Sequence, residues 1–160
     1  MEAFAIWKEG LSFEGRADGF SIPMDATTPL GHHYGPSPKE VLLSSLAACA
    51  GMDVMGLLKR DHQFVDRFCV EANVPTSTHR HPVIFDSIEL VFHIDGSVNI
   101  DSAIRAVNLS QTKYCGMSAM LNETCPVEWV IILNGEKIAD GRAAFNHLED
   151  QDMFQTSYEG

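Results

Sequence analysis

Ser37-Pro38-Lys39-Glu40-Val41-Leu42-Leu43-Ser44-Ser45-Leu46-Ala47-Ala48-Cys49-Ala50-Gly51-Met52-Asp53-Val54-Met55-Gly56-Leu57-Leu58 is the stretch that decides the fold. Ser37 can cap the first free amides of a helix, Pro38 fits the first helical position where no donor is needed, and Glu40 closes a capping box. Lys59-Arg60 suit the negative end of the helix dipole and mark the stop. From Val41 to Leu58 apolar and small side chains run round nearly the whole circumference, so this helix needs protein on most sides. The small run Ser44 to Gly51 lets another backbone approach closely, at a propensity cost of roughly 1 kcal/mol for Gly51. Cys49 shares a face with Leu42, Ser45, Leu46, Met52 and Asp53 by the three-and-four spacing, which sets a thiol in an apolar wall.

N-terminal to this helix, Phe4 to Lys8, Leu11 to Gly15 and Phe20 to Met24 read as short strands turned at Glu9-Gly10 and Asp18-Gly19, and Asp25 to Gly35 reads as a loop. C-terminal to it, Arg67 to Val74 alternates, with Phe68, Val70, Ala72 and Val74 on one face and Cys69, Glu71 and Asn73 on the other. Pro75 to Pro82 is a connection. Ile88, Leu90, Phe92 and Ile94 then alternate with Glu89, Val91, His93 and Asp95, placing His93 on the surface. Asp101 can cap a helix with Ile104, Val107 and Leu109 inward, and a second short helix with Thr112 as its cap carries Cys115, Met117, Ala119, Met120 and Leu121. Val127 to Leu133 and Glu136 to Ala139, joined by Asn134-Gly135, form a hairpin. Residues 146–160, acidic and poor in apolar content, read as a mobile tail after a single domain of residues 1–145.

This order predicts an α+β domain in which an antiparallel sheet wraps the long helix. One sheet cannot cover a helix that is apolar all round, so a second copy of the chain is expected to supply the remainder, helix against helix at the small-residue run. Twenty-two acidic residues against 11 basic ones, a formal charge of -11, argue against nucleic acid or an anionic membrane surface as partner. The first ten residues lack the basic flank and apolar run of a signal peptide, which predicts a soluble, cytoplasmic protein.

The 4 cysteines, Cys49, Cys69, Cys115 and Cys125, are therefore expected to be reduced thiols rather than a disulfide scaffold. Cys69 and Cys125 read as structural. No zinc-binding spacing occurs among the 7 histidines, and His32-His33 and His79-Arg80-His81 read as solvated loop residues, so no metal and no cofactor are expected. Cys49 receives no help from the helix dipole and needs a cation from elsewhere to form thiolate. Cys115, read as lying in the first turn of its helix, is the better nucleophile on local chemistry alone.

Gly35-Pro36-Ser37-Pro38-Lys39-Glu40-Val41-Leu42-Leu43, Ala47-Ala48-Cys49-Ala50-Gly51-Met52-Asp53-Val54 and Lys113-Tyr114-Cys115-Gly116-Met117-Ser118-Ala119-Met120-Leu121 resemble the OsmC/Ohr family, in particular its YhfA-like branch. The resemblance implies an OsmC-like, intertwined α+β homodimer and a thiol peroxidase that reduces organic hydroperoxides. It implies that Cys49 attacks the peroxide and Cys115 resolves the sulfenic acid at the dimer interface, with an external dithiol, such as a lipoylated protein, as reductant. It also implies an activating arginine in the N-terminal hairpin, a role Arg16 can fill, and a glutamate where this chain has Lys39. Asp53, four residues from Cys49, is peculiar to the branch resembled here, and its negative charge opposes thiolate formation. The alternative is a non-enzymatic protein of this fold that binds a small apolar ligand or senses oxidants. Metal loading through His32, His33 and a thiol is a weaker third.

Overall fold

Alternating runs broken at Gly10 and Asp18-Gly19 fold as β1 (Phe4–Glu9), β2 (Ser12–Ala17) and β3 (Phe20–Met24), an antiparallel three-stranded sheet. The computed structural model describes residues 1–75 and 81–145; part of the predicted Pro75–Pro82 connection, with His79, and the predicted tail 146–160 lie outside the described residues. The backbone falls into two compact units, Met1–Ser45 and the part from Leu46 onward.

In the first unit, Asp18 and Gly19 have φ of 49° and 81°, the left-handed pair that suits a tight hairpin. The segment read as a plain loop after β3 has an organiser that periodicity did not reveal. Asp25 is buried, and its carboxylate accepts the amides of Ala26 at 2.7 Å, His32 at 3.0 Å and Tyr34 at 3.2 Å. Burial pushes this carboxyl up, but the amides of Tyr34, Ala26 and His32 outweigh it and hold it below its ordinary value. Gly31 is required beside it, since a Cβ there would come within 2.6 Å of Asp25 Oδ1.

The long helix, α1 (Pro38–Arg60), starts as the sequence indicates. Glu40 Oε2 accepts from the Ser37 amide and hydroxyl, both at 2.7 Å, while the Glu40 amide donates to Ser37 Oγ at 3.4 Å. That is a complete capping box. Leu46, Ala47, Ala50, Gly51, Val54, Leu57 and Leu58 are buried. Ser45, Ala48, Met52 and Gly56, at three-and-four spacing, are exposed. Within one chain the helix is therefore covered on one side, not on most sides. Among the described residues α1 alone is long and apolar enough to cross a membrane, a property it shares with core helices.

In the second unit, β4 (Phe64–Asn73), β5 (Ile88–Ser97), β6 (Val127–Leu133) and β7 (Glu136–Arg142) form a four-stranded sheet in that order. Ile88, Leu90, Phe92 and Ile94 are fully buried, as the period of two requires. Against this face α1 packs through its small residues: a Cβ on Gly51 would lie 3.2 Å from Phe68 Cε1 and 3.3 Å from Val70 Cγ2. The close neighbours at Gly51 are thus side chains of β4 rather than another backbone. Asn134 and Gly135, with φ of 50° and 85°, make the predicted hairpin turn between β6 and β7.

The sheet is mixed rather than wholly antiparallel, because β5 and β6 run parallel. The helical crossover between them returns the chain to the starting end of β5, which a short hairpin cannot do. That crossover contains α2 (Ile100–Leu109) and α3 (Gly116–Asn122). Its first cap is Asn99 rather than Asp101. The Asn99 side chain accepts the amides of Asp101 at 2.9 Å and Ser102 at 3.3 Å, which puts Asp101 inside the first turn. Ala103, Ala106 and Val107 are buried, whereas Ile104 and Leu109 are half-buried.

Candidate functional site: a two-thiol contact

The approach to Cys115 is a π turn, Ser110–Tyr114, that follows α2 without interruption and is closed by the Cys115 amide donating to the Ser110 carbonyl at 2.9 Å. The wider turn shifts the start of α3 beyond Thr112. Thr112 is consequently no cap; its hydroxyl donates back to the Asn108 carbonyl at 2.8 Å. Cys115 takes the cap position itself, in extended conformation, and its sulfur accepts from the Ser118 amide at 3.4 Å.

Cys115 is fully buried. Burial is the largest influence on its thiol and pushes it up; Ser118 pulls it down, and the nearby Cys49 thiol pushes it up again. The net direction is upward, opposite to the helix-start effect expected from the sequence. Desolvation wins because a seven-residue helix beginning at a sealed sulfur adds little against the loss of water. Cys49, at mid-α1, is half-buried, and all 4 cysteines are free thiols. Two thiols far apart in sequence are thus near enough to influence each other, one sealed and one partly accessible.

Beside them lies a polar group that the sequence reading did not single out. Ser110, fully buried, has its hydroxyl 3.3 Å from Asp53 Oδ2 and 3.5 Å from the Ala50 carbonyl, and receives the Gln111 side-chain amide at 3.2 Å. The signal was present: Ser110 continues the Ala103–Ala106–Val107 face at helical spacing, a polar residue on an apolar stripe. The network ties α1 to the turn that delivers Cys115.

Burial also pushes the Asp53 carboxyl up, with the Ser110 hydroxyl pulling the other way. A carboxyl raised by folding supports the fold fully below its ordinary value of 3.8, and that support is lost as pH rises through its folded value. Asp53→Asn is accordingly expected to raise the melting temperature at pH 7 by a small amount, with the gain vanishing towards pH 3. Thermal denaturation at the two pH values checks this, and a lower melting temperature of the variant at pH 7 is the opposing result.

Arg16 lies on β2 in the first unit, half-exposed, and its guanidinium is engaged by Glu14, which Lys8 Nζ also approaches at 3.2 Å. It lines a hollow of about 400 Å³ with Phe4, Phe20, Ile22 and Met24. Lys39 follows Pro38 in the first turn of α1. Cys69 is exposed on β4 as the alternation predicts, and Cys125 is buried, its thiol pushed up by burial and then by Asp86. Among the described residues no set of three His, Cys, Asp or Glu side chains is arranged to hold a metal ion.

Residues 31–130 match the family model described as OsmC, OsmC-like protein. Protein YhfA of Escherichia coli K12 is 35% identical over 128 residues, covering 77% of this chain and 90% of that protein. The OsmC-like protein of Mycoplasma pneumoniae has a similar crystal structure, with a TM-score of 0.71 at 20% identity over 82% of this chain and 95% of that one. An organic hydroperoxide resistance protein from Elizabethkingia anophelis shares the fold with a TM-score of 0.63 at 17% identity, covering 81% of this chain and 92% of its own. The match over all of α1, the crossover, Cys49 and Cys115, together with the YhfA identity, has one meaning: this chain belongs to the OsmC-like protein family.

Proposed function

We propose that this protein is a cytoplasmic, homodimeric thiol peroxidase that reduces alkyl or lipid hydroperoxides through Cys49 and Cys115, within one OsmC-like domain of residues 1–145. The observation that carries this reading is the proximity of the half-buried Cys49 thiol to the buried Cys115 thiol, near enough for each to feel the other. Accessibility supports this division of roles. Cys49 is open enough to meet a substrate, whereas Cys115 is sealed and keeps its proton until a partner sulfur is oxidised.

In the reaction the Cys49 thiolate attacks the terminal peroxide oxygen, the O–O bond breaks, and the alkoxide leaves as an alcohol after taking up a proton. Cys49 is then a sulfenic acid. Cys115 attacks that sulfur, a disulfide forms and water departs. An external dithiol, such as a lipoylated protein, reduces the disulfide and restores both thiols. The apolar residues near Cys49 on α1, including Leu46, Met52 and Met55, favour an alkyl tail over hydrogen peroxide. Arg16 is assigned the support of the thiolate. The exposed row of Ser45, Ala48 and Met52, with Met52 73% exposed, favours a second copy of the chain as the missing cover.

Turnover decides between this and a protein that only binds an apolar ligand or senses oxidants. Catalytic loss of cumene hydroperoxide in the presence of dihydrolipoamide is expected. Peroxide that persists while the thiols stay reduced leaves the binding reading in its place.

A further inference from the structure

The outer face of the four-stranded sheet carries a second thiol in a setting unlike that of Cys125. Cys69 on β4 stands directly opposite His93 on β5 in the strand register, which brings their side chains within contact range. Arg67, Phe68, Cys69, His93 and Asp95 line one surface cavity of about 360 Å³. Glu71, two residues along from Cys69 on the same face, holds Oε1 3.2 Å from His93 Nε2. That nitrogen is shielded from solvent and has no hydrogen-bond partner. Arg67 and Asp95 approach each other only to 3.8 Å and remain largely exposed, giving the cavity rim one cation and one anion.

We propose that Cys69 is a site of mixed-disulfide formation with a low-molecular-weight, zwitterionic disulfide, with His93 as its base and Glu71 as the counter-charge of the protonated ring. The Cys69 proton passes to the His93 imidazole and the sulfur attacks one sulfur of the incoming disulfide. A new S–S bond forms, the old one breaks, and the departing thiolate leaves as a thiol with the proton from His93. No net oxidant is needed beyond the disulfide itself. Arg67 and Asp95 offer one cation and one anion to the carboxylate and ammonium groups of an amino-acid-derived disulfide. This site lies on the polar side of the sheet and is independent of the peroxidase reading.

The test uses the full-length reduced protein, glutathione disulfide as probe, and peptide mass mapping of the adduct at each cysteine over time. Cys69 is expected to be modified faster in the folded protein than after unfolding in urea, and His93→Asn to slow it about tenfold or more. Glu71→Gln is expected to slow it by less, and 2-hydroxyethyl disulfide, which carries no charge, to react more slowly than glutathione disulfide. A folded-state rate at Cys69 no higher than that of the unfolded chain overturns the proposal, and that comparison needs no variant. A His93→Asn rate equal to that of the native protein, with native circular dichroism, overturns the role of the base. Equal rates with the two disulfides overturn the zwitterionic ligand.

Discussion

Serine in place of Cys49 is expected to abolish hydroperoxide reduction, lowering turnover at least about 10³-fold because the attacking atom is gone. Serine in place of Cys115 is expected to give a different failure. Cys49 still opens the peroxide once, so one equivalent of cumene hydroperoxide is consumed and Cys49 stops at sulfenic acid, trappable with dimedone. Turnover with dihydrolipoamide falls, unless the dithiol attacks the sulfenic acid directly through the opening that leaves Cys49 half-buried. The asymmetry separates attack from resolution and follows from burial, since the fully enclosed Cys115 cannot meet a bulky peroxide without rearrangement. Equal and complete loss of the first equivalent in both variants runs against this assignment of roles.

The largest stability effect is expected at Gly96, where alanine should cost about 2–4 kcal/mol. Gly96 has φ of +141°, a backbone region where a Cβ is strained. It also faces the β4 bulge between Val65 and Arg67, where a Cβ would sit 2.9 Å from the Asp66 nitrogen and 3.1 Å from Val65 Cα. Backbone atoms on both sides leave no flexible neighbour to yield. The Asn134 side chain fixes the same residue from the other direction, accepting the Gly96 amide at 2.9 Å and donating to its carbonyl at 3.1 Å. One glycine thus links the bulge on β4 to the β6–β7 turn. Urea denaturation of Gly96→Ala reads the loss directly, and a midpoint unchanged from that of the native chain is the contrary result.

Local chemistry made several parts of this molecule legible before any coordinates. The capping box of Ser37 and Glu40, the turn at Asn134-Gly135 and the alternation of Ile88, Leu90, Phe92 and Ile94 are each written in neighbouring residues. The direction of β6 was not legible, because an alternating strand has the same pattern whether its partner runs parallel or antiparallel. At Asn99-Ile100-Asp101 two residues with capping side chains stand close together, and spacing alone does not choose between them. The π turn at Ser110–Tyr114 defeated periodicity outright, since it widens the helix and moves the start of α3 from Thr112 to the residue after Cys115.

For the site, the family resemblance singles out Cys49 and Cys115, and their thiols lie near enough to influence each other. Local chemistry favoured Cys115 as nucleophile on the strength of a helix start, and its burial reverses the sign of that effect. The link from Asp53 to Ser110 and Gln111 is not legible because it joins residues 57 positions apart, although Asp53 and the polar Ser110 on an apolar stripe are each notable alone. Arg16 illustrates another limit. Its residue type suits thiolate support, but no sequence pattern discloses that Glu14 already engages its guanidinium.

The most direct measurement of the central claim is peptide mass mapping of the full-length protein after one equivalent of cumene hydroperoxide, without added thiol. The account predicts a Cys49–Cys115 disulfide within one chain, with one cumyl alcohol formed per site and Cys69 and Cys125 unlinked. Peroxide left unconsumed with Cys49 and Cys115 both reduced, or a disulfide that bypasses either residue, would contradict it.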